Sequence, residues 1–213
     1  MQIIDLTQTI CEDMPVYPGT ERPKLAPASS YESDGFKETL MTMFSHTGTH
    51  IDPPCHIYPN GKTLDEFDAS QFVGKAFVVD CRTKKDGERV TLADVLEYEN
   101  AKEAEFLLFC FGWDKKWGTE DYFGDYPYLS DELVDFIANG SYKGIGFDVI
   151  GLDPIADSAL LLHHKLFKNN NIINIENLKN LDACIGKDFT LCCLPIKVEN
   201  SDGAPARAVA IIE

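Results

Sequence analysis

The sequence predicts a single mixed α/β domain over residues 1–213, and three observations support this class. Near-continuous apolar runs, such as the one at 106–111, are typical of strands in a sheet that is covered on both faces. Segments with helix-capping residues alternate with these runs. The chain of 213 residues is long enough to bury one sizeable core.

Strands are predicted where short apolar runs are bounded by glycine, proline or polar residues. In chain order they lie at 3–6, 39–45, 75–81, 106–111, 144–149, 172–175, 189–196 and 208–212. The run at 39–45 should lead directly into His46. The segment 63–74 is expected to connect strands through a short helical turn, and 199–205 has the composition of a loop.

Three helices are predicted from their end signals. Thr91, followed by Asp94 three residues later, indicates a helix that runs to about residue 100. Ser130 caps a second helix, which stops at the Asn-Gly pair 139–140. A third helix begins at residue 157 or 158, carries the adjacent histidines 163 and 164, and is broken at 169–171.

One segment concentrates metal-ligand chemistry. Three of the five histidines and an aspartate fall within 46–56, namely His46, His50, Asp52 and His56. Imidazole nitrogens and carboxylate oxygens are standard ligands of zinc and harder divalent ions. A helix would turn Asp52 away from the histidines, and an extended strand would spread the segment over roughly 33 Å. A strand end that curls at Gly48 lets all four side chains converge, which favours a metal centre over separately hydrogen-bonded histidines.

The same segment carries a family resemblance. Its sequence, His-Thr-Gly-Thr-His-Ile-Asp-Pro-Pro-Cys-His, resembles the H-x-G-T-H-x-D-x-P-x-H signature of the cyclase family of metal-dependent hydrolases, which includes bacterial kynurenine formamidase and isatin hydrolase. Strips at 14–19, 112–113, 126–127, 146–148 and 176–178 extend the resemblance over essentially the whole chain. It implies a swivelling β/β/α fold and a homodimer or larger assembly, with the partner chain contributing to the pocket.

The resemblance also implies a ligand set. The ligands would be His46, His50, Asp52, His164 and Glu176. The first three would hold one zinc ion, and Asp52 with Glu176 would bridge to a second; manganese is an alternative metal. Kynurenine formamidases have a histidine twelve residues before this glutamate, which selects His164. His163 stays open, because an offset of one is easily made at a helix end.

Three further positions are assigned around the ligands. His56 would be left free to move protons, and Tyr17, held between two prolines, would line the pocket and stack on a substrate ring. Cys55 lies inside the signature at a variable position and is expected to be a neighbour of the site. The chain departs from many relatives at 110–111, where Cys-Phe replaces Arg-Thr, so a changed pocket wall is expected.

These assignments predict a hydrolase that acts on an amide, formamide or cyclic amide of an aromatic small molecule, like an arylformamidase. A bound divalent ion lowers the pKa of water from about 15.7 to about 7 and polarises a carbonyl. A related lactam or ester hydrolase, similar to isatin hydrolase, is the alternative. A non-catalytic protein with closed metal coordination is a further alternative.

Charge and cysteine usage set the remaining expectations. The net charge of −16 argues against nucleic-acid and anionic-membrane partners, because the field would repel both. The amino-terminal residues do not form a basic stretch followed by an apolar one, so no signal peptide is expected. The apolar run at 106–111 is too short to cross a bilayer. Seven cysteines without C-x-x-C spacing indicate reduced thiols in a cytoplasmic protein.

Overall fold

A computed structural model describes residues 1–212 of the chain. The strands are Gln2–Asp5 (β1), Lys24–Ser29 (β2), Glu38–Thr42 (β3), His50–Asp52 (β4), Val73–Asp80 (β5), Arg89–Val90 (β6), Phe106–Cys110 (β7), Tyr128–Leu129 (β8), Gly144–Phe147 (β9), Ile173–Glu176 (β10), Phe189–Pro195 (β11) and Ala204–Ile212 (β12). The α-helices are Tyr31–Asp34 (α1), Leu92–Leu96 (α2), Asp131–Ala138 (α3) and Leu161–Leu166 (α4). None of the helices in this part of the chain has the length and apolar character needed to cross a membrane.

Eight strands form one mixed sheet that closes on itself. The order is β1-β12-β11-β5-β7-β9-β10-β4, and β4 pairs with β12 to complete the ring. The neighbours β5, β7, β9 and β10 are parallel, whereas the other pairings are antiparallel. The predicted mixed α/β class is therefore confirmed, as a closed, barrel-like sheet.

The central strand β7 shows why its sequence is apolar throughout. All five of its residues are buried. Leu107 and Phe109 pack into the core that includes Leu133 and Val134 of α3, whereas neighbouring Leu108 packs into the core on the other face. Because successive side chains of a strand point to opposite faces, an uninterrupted apolar run is what a sheet covered on both sides requires.

Two predicted strands differ from the structure. β3 ends at Thr42 and pairs only with β2, so it lies outside the closed sheet and its residues are exposed. The apolar run at 39–45 was therefore wrongly extended into His46. β12 begins at Ala204, inside the predicted loop. Its second residue, Pro205, has no amide hydrogen to donate but is tolerated where it lies opposite His50. The other predicted strands appear within a few residues of their predicted bounds.

Two of the three predicted helix starts are confirmed, and α2 and α4 are shorter than predicted. The Ser130 hydroxyl accepts the Leu133 amide at the start of α3, and the Asp94 carboxylate accepts the Thr91 amide before α2. α2 stops at Leu96 and a 3₁₀ turn follows it. α4 begins only at Leu161, because the segment before it forms turns.

Candidate metal centre

The base of the site is set by the register of two antiparallel strands. His50 of β4 lies opposite Glu176 of β10, and Asp52 lies opposite Asn174. Alternate residues of a strand project from the same face, so these four side chains share one face of the sheet. All four are buried.

His46 joins this face from the turn before β4. Gly48 has a φ of 63°, a left-handed conformation that glycine adopts readily, and the chain curls there as predicted. The turn places His46 Nδ1 2.7 Å from Asp52 Oδ1, while His50 Nε2 lies 3.2 Å from the same oxygen. These three residues form the first candidate ligand group, called here the first triad.

A second candidate group shares Asp52. The other oxygen of this carboxylate, Oδ2, lies 3.7 Å from Nε2 of His163, and Glu176 Oε1 lies 3.5 Å from the same nitrogen. Asp52, His163 and Glu176 form the second triad. Asp52 thus offers one oxygen to each triad, and His50 Nε2 lies 3.6 Å from Glu176 Oε2 between them.

The structure corrects the assigned histidine on α4. His163 is buried and points into the site, whereas His164 is exposed and its ring packs edge-on against Tyr58. Neighbouring residues on a helix point about 100° apart, so only one of the two can face the sheet. His163 lies thirteen residues before Glu176, and the spacing of twelve taken from the family was wrong for this chain.

Two of the ring orientations are fixed by hydrogen bonds at Nδ1. His50 Nδ1 lies 2.8 Å from the Gly48 carbonyl oxygen, and His163 Nδ1 lies 2.5 Å from Asp153 Oδ2. In both cases Nδ1–H donates outward, which leaves Nε2 facing the carboxylates. Sequence reasoning missed Asp153, because only the fold brings it to His163.

Asn174 was also missed. Its Nδ2 donates to Asp52 Oδ2 at 2.9 Å and to Glu176 Oε1 at 2.8 Å, so it holds the two carboxylates at a fixed separation. Its position two residues before Glu176 in a predicted strand was the one available signal. The Leu152 amide donates to the same glutamate oxygen at 3.0 Å.

The pKa shifts of the buried carboxylates and histidines indicate that the site favours positive charge. Burial would raise the pKa of the Asp52 carboxyl, but His50 and His46 hold it well below its usual range. Burial likewise opposes protonation of His50, yet the charge of Asp52 raises the His50 pKa to about 9. The buried carboxylates therefore favour positive charge at the centre of the site.

The donor atoms fit one or two divalent ions. Ligand atoms about 2.1 Å from a tetrahedral ion lie roughly 3.4 Å apart. The nitrogen–oxygen separations of His50 and His163 in the two triads are 3.2 to 3.7 Å. A mixed set of imidazole and carboxylate ligands, with outer hydrogen bonds that fix the rings, is typical of protein sites for divalent metals.

His56 lies beside both triads. Its ring centroid is 4.1 Å from that of His46 and 5.8 Å from that of His163. Burial lowers the pKa of His56 from its usual value, although the charge of Asp52 opposes this shift. A neutral imidazole with free nitrogens near the candidate ions can accept and return a proton.

A cavity of about 620 Å³ opens over the two triads. Its apolar lining includes Val16, Tyr17, Phe44, Ile150, Ile155 and Leu160. Tyr17 therefore lies where it was predicted, in the cavity wall. Cys55 Sγ instead donates to the Ser201 carbonyl at 3.4 Å.

The departure at Cys110 and Phe111 does not reach this cavity. Both residues are buried in the cores, and the Phe111 ring stacks on Phe147 with 6.4 Å between centroids. The expected change of the pocket wall is not found at these positions. Cys110 and Phe111 contribute to core packing in this chain.

Comparison with known proteins places this arrangement in a family. The model of the Cyclase family, described as "Putative cyclase", matches residues 4–154. A kynurenine formamidase of Bacillus mycoides (strain KBAB4) is 32% identical over 98% of this chain and 96% of its own length. The chain belongs to the cyclase family.

Solved structures agree with this assignment. Isatin hydrolase A from Labrenzia aggregata, bound to benzyl benzoate, superposes with a TM-score of 0.88 at 28% identity, over 100% of this chain and 94% of that one. A predicted metal-dependent hydrolase from Bacillus stearothermophilus superposes with a TM-score of 0.75 at 26% identity, over 98% and 97% of the two chains. The family predicted from the signature at 46–56 is confirmed.

Proposed function

We propose that this protein is a metal-dependent hydrolase that cleaves a non-peptide carbon–nitrogen bond in an amide or formamide of an aromatic small molecule. The observation that carries the proposal is the position of Asp52, whose two oxygens each face a different triad beneath an apolar cavity. The similarity to a kynurenine formamidase along nearly the whole chain supports an arylformamidase-like reaction.

The residues of the site have two roles: some would bind the ions, and others would take part in the reaction. The first triad would hold one ion and the second triad would hold another, with Asp52 shared. When bound, such ions make water nucleophilic near neutral pH and stabilise negative charge on a carbonyl oxygen. Zinc suits these nitrogen and oxygen donors, and manganese is the alternative.

His56 supplies the proton transfers. Its ring lies next to His46 and His163 and lines the cavity above the two triads. It would take the proton of the attacking water and deliver it to the leaving nitrogen, which must depart as a neutral amine. The lowered pKa keeps the ring neutral, and thus able to accept a proton, at pH 7.

The cavity wall orients the substrate. Tyr17 offers an aromatic face and its side chain is only partly exposed. An aryl ring stacked there would direct its amide toward the triads below. Carboxylates and imidazoles at the base and apolar side chains on the walls match an aromatic body with one polar reacting group.

Metal analysis combined with turnover tests the proposal. Zinc-loaded and manganese-loaded protein would be offered N-formylkynurenine, formanilide and isatin, with chelator-treated protein as the control. We expect formamide hydrolysis that a chelator abolishes and added metal restores. Undiminished hydrolysis by metal-stripped protein would overturn the mechanism, and a loaded protein inactive on every amide would favour a non-catalytic metal protein.

A cyclic amide is the second candidate substrate. The superposition on isatin hydrolase A covers the whole chain, and opening a lactam requires the same attack of activated water on a carbonyl. The ratio of kcat/KM for isatin to that for formanilide separates the two. A ratio well above one would make the chain a lactam hydrolase.

We further infer that the protein forms a homodimer or larger assembly through the two-stranded sheet of β2 and β3, called here the β2–β3 arm. We also infer that the enzyme acts in the cytoplasm. Leu40 and Met41 on this arm are 60% and 58% exposed. Two-stranded sheets are marginal alone, and exposed apolar patches mark protein contacts. Light scattering of wild type and of Leu40→Glu tests this, and a monomeric wild type would overturn it.

A further inference from the structure

We propose that Asp153 is a positioning residue of the metal centre, which fixes the ring of His163 so that its Nε2 faces the second triad. The inference rests on the proposed function, because it assigns Asp153 to that same site. Asp153 is only 3% exposed and lies in the segment between β9 and α4. Among the triad residues, only His163 contacts the Asp153 carboxylate.

Three hydrogen bonds converge on this carboxylate. Oδ2 accepts from His163 Nδ1 at 2.5 Å and from the His163 backbone amide at 3.0 Å. Oδ1 accepts the Leu162 amide at 2.6 Å. One side chain therefore holds both the backbone and the ring of His163.

The start of α4 explains why a distant carboxylate is needed. The residue before the helix, Leu160, has a left-handed conformation with φ of 50° and no side-chain acceptor for the first helical amides. Asp153 supplies the oxygens that a capping residue would normally supply. The same carboxylate therefore holds both the first turn of α4 and the ring of His163.

The chemical consequence concerns which nitrogen is free. Because Nδ1–H donates to Asp153, the neutral ring presents its lone pair at Nε2, 3.5 Å from Glu176 Oε1. A negatively charged acceptor also makes the imidazole a better donor to a cation. In the first triad, the corresponding acceptor for His50 is the neutral Gly48 carbonyl. The two ligand groups therefore differ in the charge of their outer support.

The test compares Asp153→Asn with Asp157→Asn. Asp157 also accepts amides at the approach to α4, from Ala159 at 2.9 Å and Leu161 at 3.3 Å, so the second variant controls for lost capping alone. Zinc dissociation constants would be measured by chelator competition, without substrate. We expect Asp153→Asn to weaken the ion held by His163 about 10- to 100-fold, and Asp157→Asn to leave both ions bound as in wild type.

A double-mutant cycle with His163→Ala separates positioning from stability. If Asp153 acts through the ring, Asp153→Asn has no further effect on zinc affinity once His163 is removed. In zinc-loaded wild type, the ring Nδ1 proton should give a slowly exchanging NMR resonance that Asp157→Asn keeps and Asp153→Asn shifts. Should Asp153→Asn fail to fold, Asp153→Glu keeps the charge but moves the oxygens, and weaker zinc binding is again expected.

Distinct outcomes overturn distinct claims. Equal zinc loss in both aspartate variants, or an undiminished effect of Asp153→Asn in the His163→Ala background, would reduce Asp153 to a helix cap. Unchanged zinc affinity in Asp153→Asn, in a protein that hydrolyses formamides, would sink this inference alone. The expected zinc effects in a protein inactive on every amide would instead sink only the proposed function.

Discussion

The inner wall and the outer rim of the cavity are built on different principles. The inner wall, defined as His50, Asp52, Asn174 and Glu176, comes from two paired strands, and every member is at most 5% exposed. The outer rim, defined as Tyr17, Phe44 and Asp202, comes from irregular segments, where Tyr17 is 37% and Phe44 is 53% exposed. Strand register thus fixes the positions of the candidate ligands, whereas loops supply the surface that meets the substrate.

This contrast has a physical reason. Buried carboxylates need partners on every side, so they can exist only where a rigid sheet supplies imidazoles, amides and backbone donors at fixed distances. Rim residues keep contact with water and need no such support. Changes in the inner wall should therefore affect metal binding and all substrates alike, and changes in the rim should affect individual substrates.

The largest effect is expected for Asp52→Asn. Asp52 belongs to both triads, so both ions should be lost and turnover should fall on the order of a thousandfold or more. Ions contribute several kcal/mol to transition-state stabilisation, and each step of about 1.4 kcal/mol is tenfold in rate. Metal content and kcat measure this, with Asp121→Asn as the matched charge removal, because Asp121 is exposed and lies outside the cavity lining and every candidate ligand group. Equal metal loss in both variants would mean that the loss does not depend on the inner wall.

His56→Ala should give the next largest effect. Removing a general acid–base group typically costs about 10²- to 10⁴-fold in rate. Metal content should stay at the wild-type level because both triads keep all their residues, although His56 also forms a third, more exposed group with His46 and Asp202. Loss of metal together with activity would make His56 a ligand instead.

The same residue predicts the pH profile. Burial lowers the pKa of His56, so the ring is neutral above that lowered value and becomes protonated as the pH falls through it. Because only the neutral ring accepts a proton, kcat/KM should be constant around pH 7 and fall on the acid side. His56→Ala should lose the part of this acid limb that the ring contributes. A limb unchanged in the variant would assign it to another group.

Gly203→Ala tests the position of the His46 ring, which lies between the inner wall and the outer rim. A Cβ at this position would lie 2.5 Å from Cε1 and 2.6 Å from Nε2 of the His46 ring, so the ring must move. His46 Nδ1 would then leave Asp52, and we expect weaker binding of the first ion with little change in thermal stability, because a partly exposed ring can swing outward. Zinc competition and thermal unfolding measure the two. A wild-type zinc affinity would mean that His46 is dispensable for that ion.

How far the sequence predicted this site follows from the same contrast. His46, His50 and Asp52 were found because they share one short segment whose curl at Gly48 is locally encoded. His164 was chosen from a spacing taken from the family, with His163 left open, and only the packing of α4 shows that His163 is the one that faces the site. Asp153 meets His163, ten residues later, only through the turns before α4, and Asn174 meets Asp52 through strand pairing. The one local signal was the position of Asn174 two residues before Glu176.

The fold divides in the same way. β7 was predicted closely because burial on both faces leaves an unbroken apolar run. The strand at β3 was predicted to run into His46 but ends at Thr42, and its apolar residues Leu40 and Met41 are exposed and pair only with β2. Hydrophobicity alone does not distinguish a residue kept from water by its own chain from one that stays on the surface.

The smallest effect is expected at the rim, for Tyr17→Ala. Aromatic pairs are worth about 0.5 to 1.5 kcal/mol beyond area burial, which corresponds to at most about a tenfold rise in KM for an aryl formamide. Tyr17→Phe should retain the wild-type KM because it keeps the ring, and Tyr31→Ala, on an exposed residue absent from the cavity lining, controls for general surface effects. The KM for a small aliphatic formamide should be unchanged in all three variants, since no ring can stack. If Tyr17→Ala lowered kcat equally for aryl and aliphatic substrates, Tyr17 would act on the reacting group, and the rim would share in the chemistry assigned to the inner wall.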